Sequence, residues 1–186
     1  MFYDVSNTLI VVDVQRDFAH PDGALSVPKG MDVIPFINKI VKDYELVIFT
    51  RDWHPEDTDH FVQWPVHCVA ASEGAKFAKG LHVPEHALIY NKGTRAIEDG
   101  YSPFTSGTFA ARNLDGDSLS EYLSLRGVRD IDVVGLATDY CVKATAIDAY
   151  KWGFKPRVLL AGCRSVGDPT EALDEMWLNK VEIVWR

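Results

Sequence analysis

Three groups of residues in this 186-residue chain have the types and spacing to do chemistry. The first centres on a cysteine. In Val133-Val-Gly-Leu-Ala-Thr-Asp-Tyr-Cys-Val-Lys-Ala-Thr-Ala146 a β-branched strand pattern breaks at Gly135, and a helical apolar pattern begins at Cys141. Free backbone N–H groups and the positive end of a helix dipole at such a turn favour a thiolate and can hold an oxyanion. A buried helix-start cysteine serving as a small hydrophobe fits the same stretch. The second group is Asp52, His54, His60 and His67. Asp52 and His54 stand two apart in an extended segment, so both side chains can project to one side. One carboxylate and three imidazoles suit one divalent ion, zinc, iron or manganese; solvated loop histidines are the competing reading. The third group joins Asp13 and Lys92 to Cys141, each at the end of a different strand pattern. Asp13 can take the thiol proton, while Lys92 lowers the thiol pKa and holds the carboxylate. An ordinary buried Asp–Lys pair would have the same composition.

These residues need elements to position them. Thr8–Asp13 is a continuous apolar run, the pattern of a strand buried on both faces. Strand patterns recur at 46–50, 87–91, 131–134, 156–160 and 181–184. Helical spacing covers 33–41, with Pro35 near the start, then 119–125, about 170–178, and the segment from Cys141. This alternation predicts an α/β fold: a single-domain three-layer sandwich with a mainly parallel central β-sheet and helices on both faces. The domain is expected to span 1–186, with a metal-binding loop excursion at about 52–83. Periodicity fails from Pro55 to about Val83. A loop of that length is usually functional or tied down, and a bound metal would account for its order. A second irregular stretch runs from Thr94 to Asp117. Ligands of parallel sheets bind at the carboxyl ends of strands, where Asp13, Asp52/His54, Lys92 and the Cys141 turn all stand.

Composition narrows the classes. Hydrophobic residues make up 47% and charged residues 25%, which is ordinary for a globular chain. A net charge of −8 argues against nucleic acid as a partner and for a small-molecule substrate. Cys68, Cys141 and Cys163 form no CxxC, the usage of a reducing compartment. Met1-Phe-Tyr-Asp-Val5 lacks a basic n-region and no apolar run reaches membrane-spanning length. The expectation is a cytoplasmic protein with no membrane contact, as a monomer or homo-oligomer. His20, His82 and His86 are assigned to the surface.

Val11-Val-Asp13-Val-Gln-Arg-Asp-Phe18, Thr50-Arg-Asp52-Trp-His54, Trp64-Pro-Val-His67-Cys68, Lys92-Gly-Thr94 and Gly135-Leu-Ala-Thr-Asp-Tyr-Cys141-Val142 carry a family resemblance. From about Leu9 to Val184 the chain resembles the nicotinamidase/pyrazinamidase group of the isochorismatase-like cysteine hydrolase superfamily. The resemblance implies a catalytic triad of Asp13, Lys92 and Cys141, with Asp52, His54, His60 and His67 as metal ligands. It implies a cis peptide at Leu136–Ala137, and an oxyanion hole from the backbone N–H groups of Ala137 and Cys141. Phe18 and Trp64 would sandwich a pyridine ring, with Tyr101 and Phe104 closing the pocket. Tyr140 sits at a position that varies among relatives and receives no role. The implied reaction is nicotinamide and water to nicotinate and ammonia through a cysteine thioester. Pyrazinamide would be accepted too, and the role would be NAD salvage. Another amidase of the superfamily and a non-catalytic metal- or ligand-binding protein are the alternatives. Residue chemistry without the resemblance stops at a metal-dependent hydrolase with a cysteine nucleophile.

Overall fold

The fold is a computed structural model, described for residues 7–105, 111–112 and 116–185. The N-terminal segment Met1–Val5 lies outside the described residues, as does part of the Thr94–Asp117 stretch. Six strands, β1 (Thr8–Val12), β2 (Leu46–Asp52), β3 (Leu88–Lys92), β4 (Asp130–Leu136), β5 (Lys155–Arg164) and β6 (Glu182–Val184), form one sheet in the order β3-β2-β1-β4-β5-β6. All five pairings are parallel. Every side chain of β1 is buried, as its unbroken apolar run requires of a central strand.

From β1 the order steps one way through β2 and β3; from β4 it steps the other way through β5 and β6. Right-handed crossovers in opposite directions leave helices on opposite faces. The first half carries the one-turn α1 (Arg16–Ala19) and α2 (Ile34–Ile40), which buries Ile34 and Ile37. The second half carries α3 (Leu119–Leu125), α4 (Lys143–Lys151) and α5 (Thr170–Leu178). Ser118 and Glu121 form a reciprocal capping box that fixes where α3 starts. No helix among the described residues is long and apolar enough to cross a membrane.

The strand order reverses between β1 and β4, the crevice where sheets of this kind bind ligands. There the two backbones nearly touch. Gly135 has φ +124°, and a Cβ on it would lie 2.1 Å from the Val12 carbonyl oxygen. No other residue fits.

Two elements differ from the sequence pattern. β5 runs to Arg164, well past residue 160, after a register shift against β4 between Val133 and Gly135. The helix after β4 opens earlier than Cys141, with a π-turn over Thr138–Val142 in which the Val142 N–H reaches back five residues to the Ala137 carbonyl at 3.1 Å.

The excursion after β2 holds a single turn of 3₁₀ helix, Asp59–Val62. Buried side chains from the segment after β1 anchor it, a source of order that hydrophobic periodicity does not reveal. Gln15 Nε2 donates to the carbonyls of Asp52 at 2.8 Å and Ala75 at 2.9 Å, and its Oε1 accepts from Asp52 N at 2.8 Å. Asp17 Oδ2 accepts from Cys68 N at 2.9 Å.

Candidate active site

β1 delivers Asp13 in the left-handed region, at φ +51°. A non-glycine residue there costs on the order of 1 kcal/mol and persists where its surroundings enforce it. Thr50 on β2 supplies part of that enforcement, its hydroxyl donating to Asp13 Oδ1 at 2.6 Å. β2 ends in Asp52 and β3 in Lys92, which pair across the sheet. The Lys92 ammonium is fully buried and lies 2.6 Å from Asp13 Oδ2, 2.5 Å from Asp52 Oδ1 and 3.5 Å from Cys141 Sγ. It also donates to the Gly100 carbonyl at 2.6 Å. Cys141 Sγ and carboxylate oxygens of Asp13 and Asp52 lie within 4.8 Å of one another. Two strand ends and the π-turn therefore bring Asp13, Lys92 and Cys141 together, with Asp52 added from a third strand end.

Burial sets the protonation of this cluster. It pushes the Asp13 carboxyl up to about 6, with the nearby Lys92 ammonium holding it from rising further. Burial also opposes ionisation of Asp52, but Lys92 overrides it and keeps Asp52 well below the usual carboxylate range. Lys92 would lose charge on burial, yet Asp13 and Asp52 hold its pKa well above normal. The Cys141 thiol is raised well above its ordinary value by burial, which the pull of Lys92 does not offset, and the two carboxylates add to it. Burial thus favours the neutral thiol where a helix start alone would favour the thiolate. The thiol proton must leave as the sulfur attacks.

Next to this cluster stand the three imidazoles. His54, His60 and His67 are all buried, each with a ring nitrogen within 4.8 Å of the others'. Their Nδ1 atoms face acceptors: the Gly93 carbonyl at 3.1 Å, Asp99 Oδ1 at 3.0 Å and the Pro65 carbonyl at 2.7 Å, respectively. An oxygen acceptor requires the proton on Nδ1, which leaves each Nε2 with a free lone pair. His54 Nε2 is buried with no hydrogen-bond partner. Asp52 Oδ2 lies 3.6 Å from His54 Nε2 and 3.8 Å from His67 Nε2. That is too long for a hydrogen bond, and close to the roughly 3.4 Å between neighbouring ligands with ~2.1 Å bonds to one tetrahedral ion. The donor set fits a divalent metal. Gly93, at φ +64°, is required for this packing, since a Cβ on it would lie 2.4 Å from the His54 ring.

Cys141 from one cluster and Asp52, His60 and His67 from the other line one pocket, walled also by Phe18, Trp64, Tyr101, Ala137 and Tyr140 among others. Phe18 packs on His67 with ring centroids 5.3 Å apart. The Trp64 indole lies 6.2 Å from His60 and donates Nε1–H to Tyr101 Oη at 2.9 Å. The Leu136–Ala137 peptide is cis, and Ala137 and Cys141, expected to present the oxyanion-binding N–H groups, share the wall. Phe104 does not close the pocket. It is buried in the core against Phe154, and Trp152 Nε1–H bonds to its carbonyl at 2.9 Å. Tyr140, assigned no role from sequence, packs edge-on against Trp64 at 5.2 Å. Sequence reasoning also passed over Asp99 and Glu98; the Glu98 carboxylate accepts from the N–H groups of Gly93 and Thr94, both at 3.2 Å, and fixes the turn after Lys92. Neither has a spacing signal, since their partners are distant in sequence or backbone.

A parallel α/β sheet with a thiol, a carboxylate and an ammonium at its switch point, beside an imidazole cage, defines a class of hydrolase-like α/β proteins. The chain belongs to the isochorismatase domain family, which matches residues 7–178. It is 37% identical to the nicotinamidase/pyrazinamidase of Mycobacterium tuberculosis, covering 95% of this chain and 97% of that one. Among solved structures it is similar to the pyrazinamidase of Pyrococcus horikoshii in complex with zinc, at 38% identity and TM-score 0.82 over 96% of this chain and 98% of the other. PnC1 from L. infantum in complex with nicotinate aligns at 33% identity and TM-score 0.85, covering 97% and 92%.

Proposed function

We propose that this chain is a nicotinamidase, an amidohydrolase that converts nicotinamide and water to nicotinate and ammonia and also accepts pyrazinamide. The observation that carries the reading is one pocket lined both by Cys141, which Lys92 joins to Asp13, and by His60 and His67 of a three-imidazole cluster. The substrate ring lies between Phe18 and Trp64, with Tyr101 holding the indole. Cys141 Sγ attacks the carboxamide carbon as Asp13 takes the thiol proton. The oxyanion rests on the backbone N–H groups of Ala137 and Cys141; loss of one such donor typically costs about 10²–10³ in rate. Asp13 returns the proton to the departing ammonia, leaving a thioester on Cys141. Asp13 then accepts a proton from the water that attacks this ester and passes it to Cys141 Sγ as the C–S bond breaks and nicotinate leaves. Lys92 stays charged throughout and keeps Asp13 oriented. Asp52, His54, His60 and His67 would hold one divalent ion, zinc, iron or manganese, which would supply Lewis-acid chemistry at the ring end of the pocket. NAD salvage is the role, in the cytoplasm.

Ammonia release from nicotinamide should vanish on chelation and return with zinc, manganese or iron. Activity that survives chelation would remove the histidines from the site. Silence with every metal would turn the reading to a sibling amidase or a binding protein.

A pH profile tests Asp13 separately. It must be a carboxylate to accept the thiol proton, and its pKa stands at about 6. Hence kcat/KM should hold above that value and fall about tenfold per pH unit below it. A flat profile down to pH 5 would remove Asp13 as the base.

A further inference from the structure

The carboxylate two residues before the nucleophile takes no part in the chemistry above, yet it holds a wall of the pocket. At their carboxyl ends β4 and β5 run side by side, Gly135 beside Cys163 and Leu136 beside Arg164. The chain leaving β5 therefore emerges next to the turn that carries Cys141. Asp139, in that turn, grips it with both oxygens: Oδ1 accepts from Val166 N at 3.0 Å and Oδ2 from Gly167 N at 2.9 Å. The Ser165 hydroxyl bonds within the loop, to the Gly167 carbonyl at 2.7 Å. Beyond it Asp168 Oδ1 accepts from Thr170 N at 3.0 Å and Thr170 Oγ1 at 2.7 Å, fixing the entry to α5.

What the grip positions is Val166. It lines the pocket beside Ala137, Tyr140 and Cys141, and among the described residues it is the one lining residue from the chain beyond Cys141. It is also 42% exposed, so core packing does not hold it in place. With the carboxamide carbon at Cys141 and the ring nitrogen toward the imidazoles, C2 of a pyridine ring faces inward between them. In that pose the opposite edge, around C5, points away from both clusters.

We infer that Val166 is a specificity-determining residue and Asp139 the positioning residue that seats it, so that together they limit the substituents a pyridine carboxamide can carry on its outer edge. This deepens the nicotinamidase reading and rests on it. One methylene in an apolar pocket typically discriminates by about 10–200-fold, so a methyl group at C5 is a sufficient probe.

The test compares kcat/KM for nicotinamide and 5-methylnicotinamide, and calorimetric affinities for nicotinate and 5-methylnicotinate, in the metal-loaded wild type, Val166→Ala and Asp139→Asn. Val166→Ala should raise the relative kcat/KM for the methylated amide at least fivefold, through KM, and shift the acid affinities in parallel. Asp139→Asn should move both ratios the same way, because an amide offers one acceptor where two N–H groups need one each. In the double variant the ratio should match that of Val166→Ala alone. A Val166→Ala ratio within twofold of wild type overturns the proposal, even if Asp139→Asn does not fold. So does an Asp139→Asn variant that loses kcat equally on both amides with ratios unchanged, as a merely structural carboxylate would. Failure of the wild type to hydrolyse either amide or bind either acid would instead overturn the nicotinamidase reading, and this inference with it.

Discussion

Replacing Cys141 by alanine is expected to lower ammonia release from nicotinamide by about four orders of magnitude or more while leaving metal content unchanged. The size follows from the loss of a covalent route: removal of a nucleophile from a working triad leaves only what binding and the oxyanion donors supply. No neighbouring thiol can substitute, since Cys68 and Cys163 are buried and absent from the pocket wall. Metal content should survive because the histidine Nδ1 atoms are held by Gly93, Pro65 and Asp99, none of them in the turn after β4. The pair of measurements is ammonia release and metal per chain after dialysis. Activity within tenfold of wild type would sink the nucleophile assignment, and lost metal would show that the two clusters do not stand independently.

Lys92→Met should produce the largest loss of stability. The ammonium is 0% exposed and neutralises two buried carboxylates at 2.6 and 2.5 Å. Methionine fills a similar volume without charge and leaves Asp13 and Asp52 facing each other. Breaking a buried pair from one side typically costs about 3–5 kcal/mol. At roughly 2–4 °C per kcal/mol for a chain of this size, Tm should fall by about 10 °C. The deficit should depend on pH in a definite direction. Burial already raises Asp13 above its unfolded value, and without Lys92 it rises further. The folded state then binds more protons than the unfolded one, so the variant gains stability relative to wild type as pH falls from 8 toward 5. Thermal unfolding at the two pH values decides it; a Tm within about 2 °C of wild type at pH 8 would mean that the carboxylates find other compensation.

The sheet was legible because its central strands are written as unbroken apolar runs. Thr8–Val12 and Leu46–Thr50 admit few other readings, and their polar ends point to the rim. The clustering of Asp13, Lys92 and Cys141 followed from that rule. Three things did not follow. The excursion has no period, so its anchors Gln15 and Asp17, although part of a quoted motif, carried no visible purpose until their backbone partners were in place. The balance of forces on the Cys141 thiol was not legible either, because a helix-start argument counts the dipole and one lysine but not full burial and two carboxylates. Phe104 was expected at the pocket through the family resemblance, whereas its ring packs in the core against Phe154.

The Lys92 ammonium joins segments whose separations along the chain reach 40 residues to Asp52 and 49 to Cys141. Asp13, Asp52 and Lys92 stand at the ends of β1, β2 and β3, so a first half of the sheet lacking any one of these strands would have to bury an ammonium short of a carboxylate or carboxylates without their cation. Both are far costlier than the complete cluster or the solvated chain. Partial versions of that half are thereby depopulated. The groups arranged for proton transfer also make assembly of β1, β2 and β3 cooperative, and the thiol carried by the other half joins a cluster whose charges are already matched.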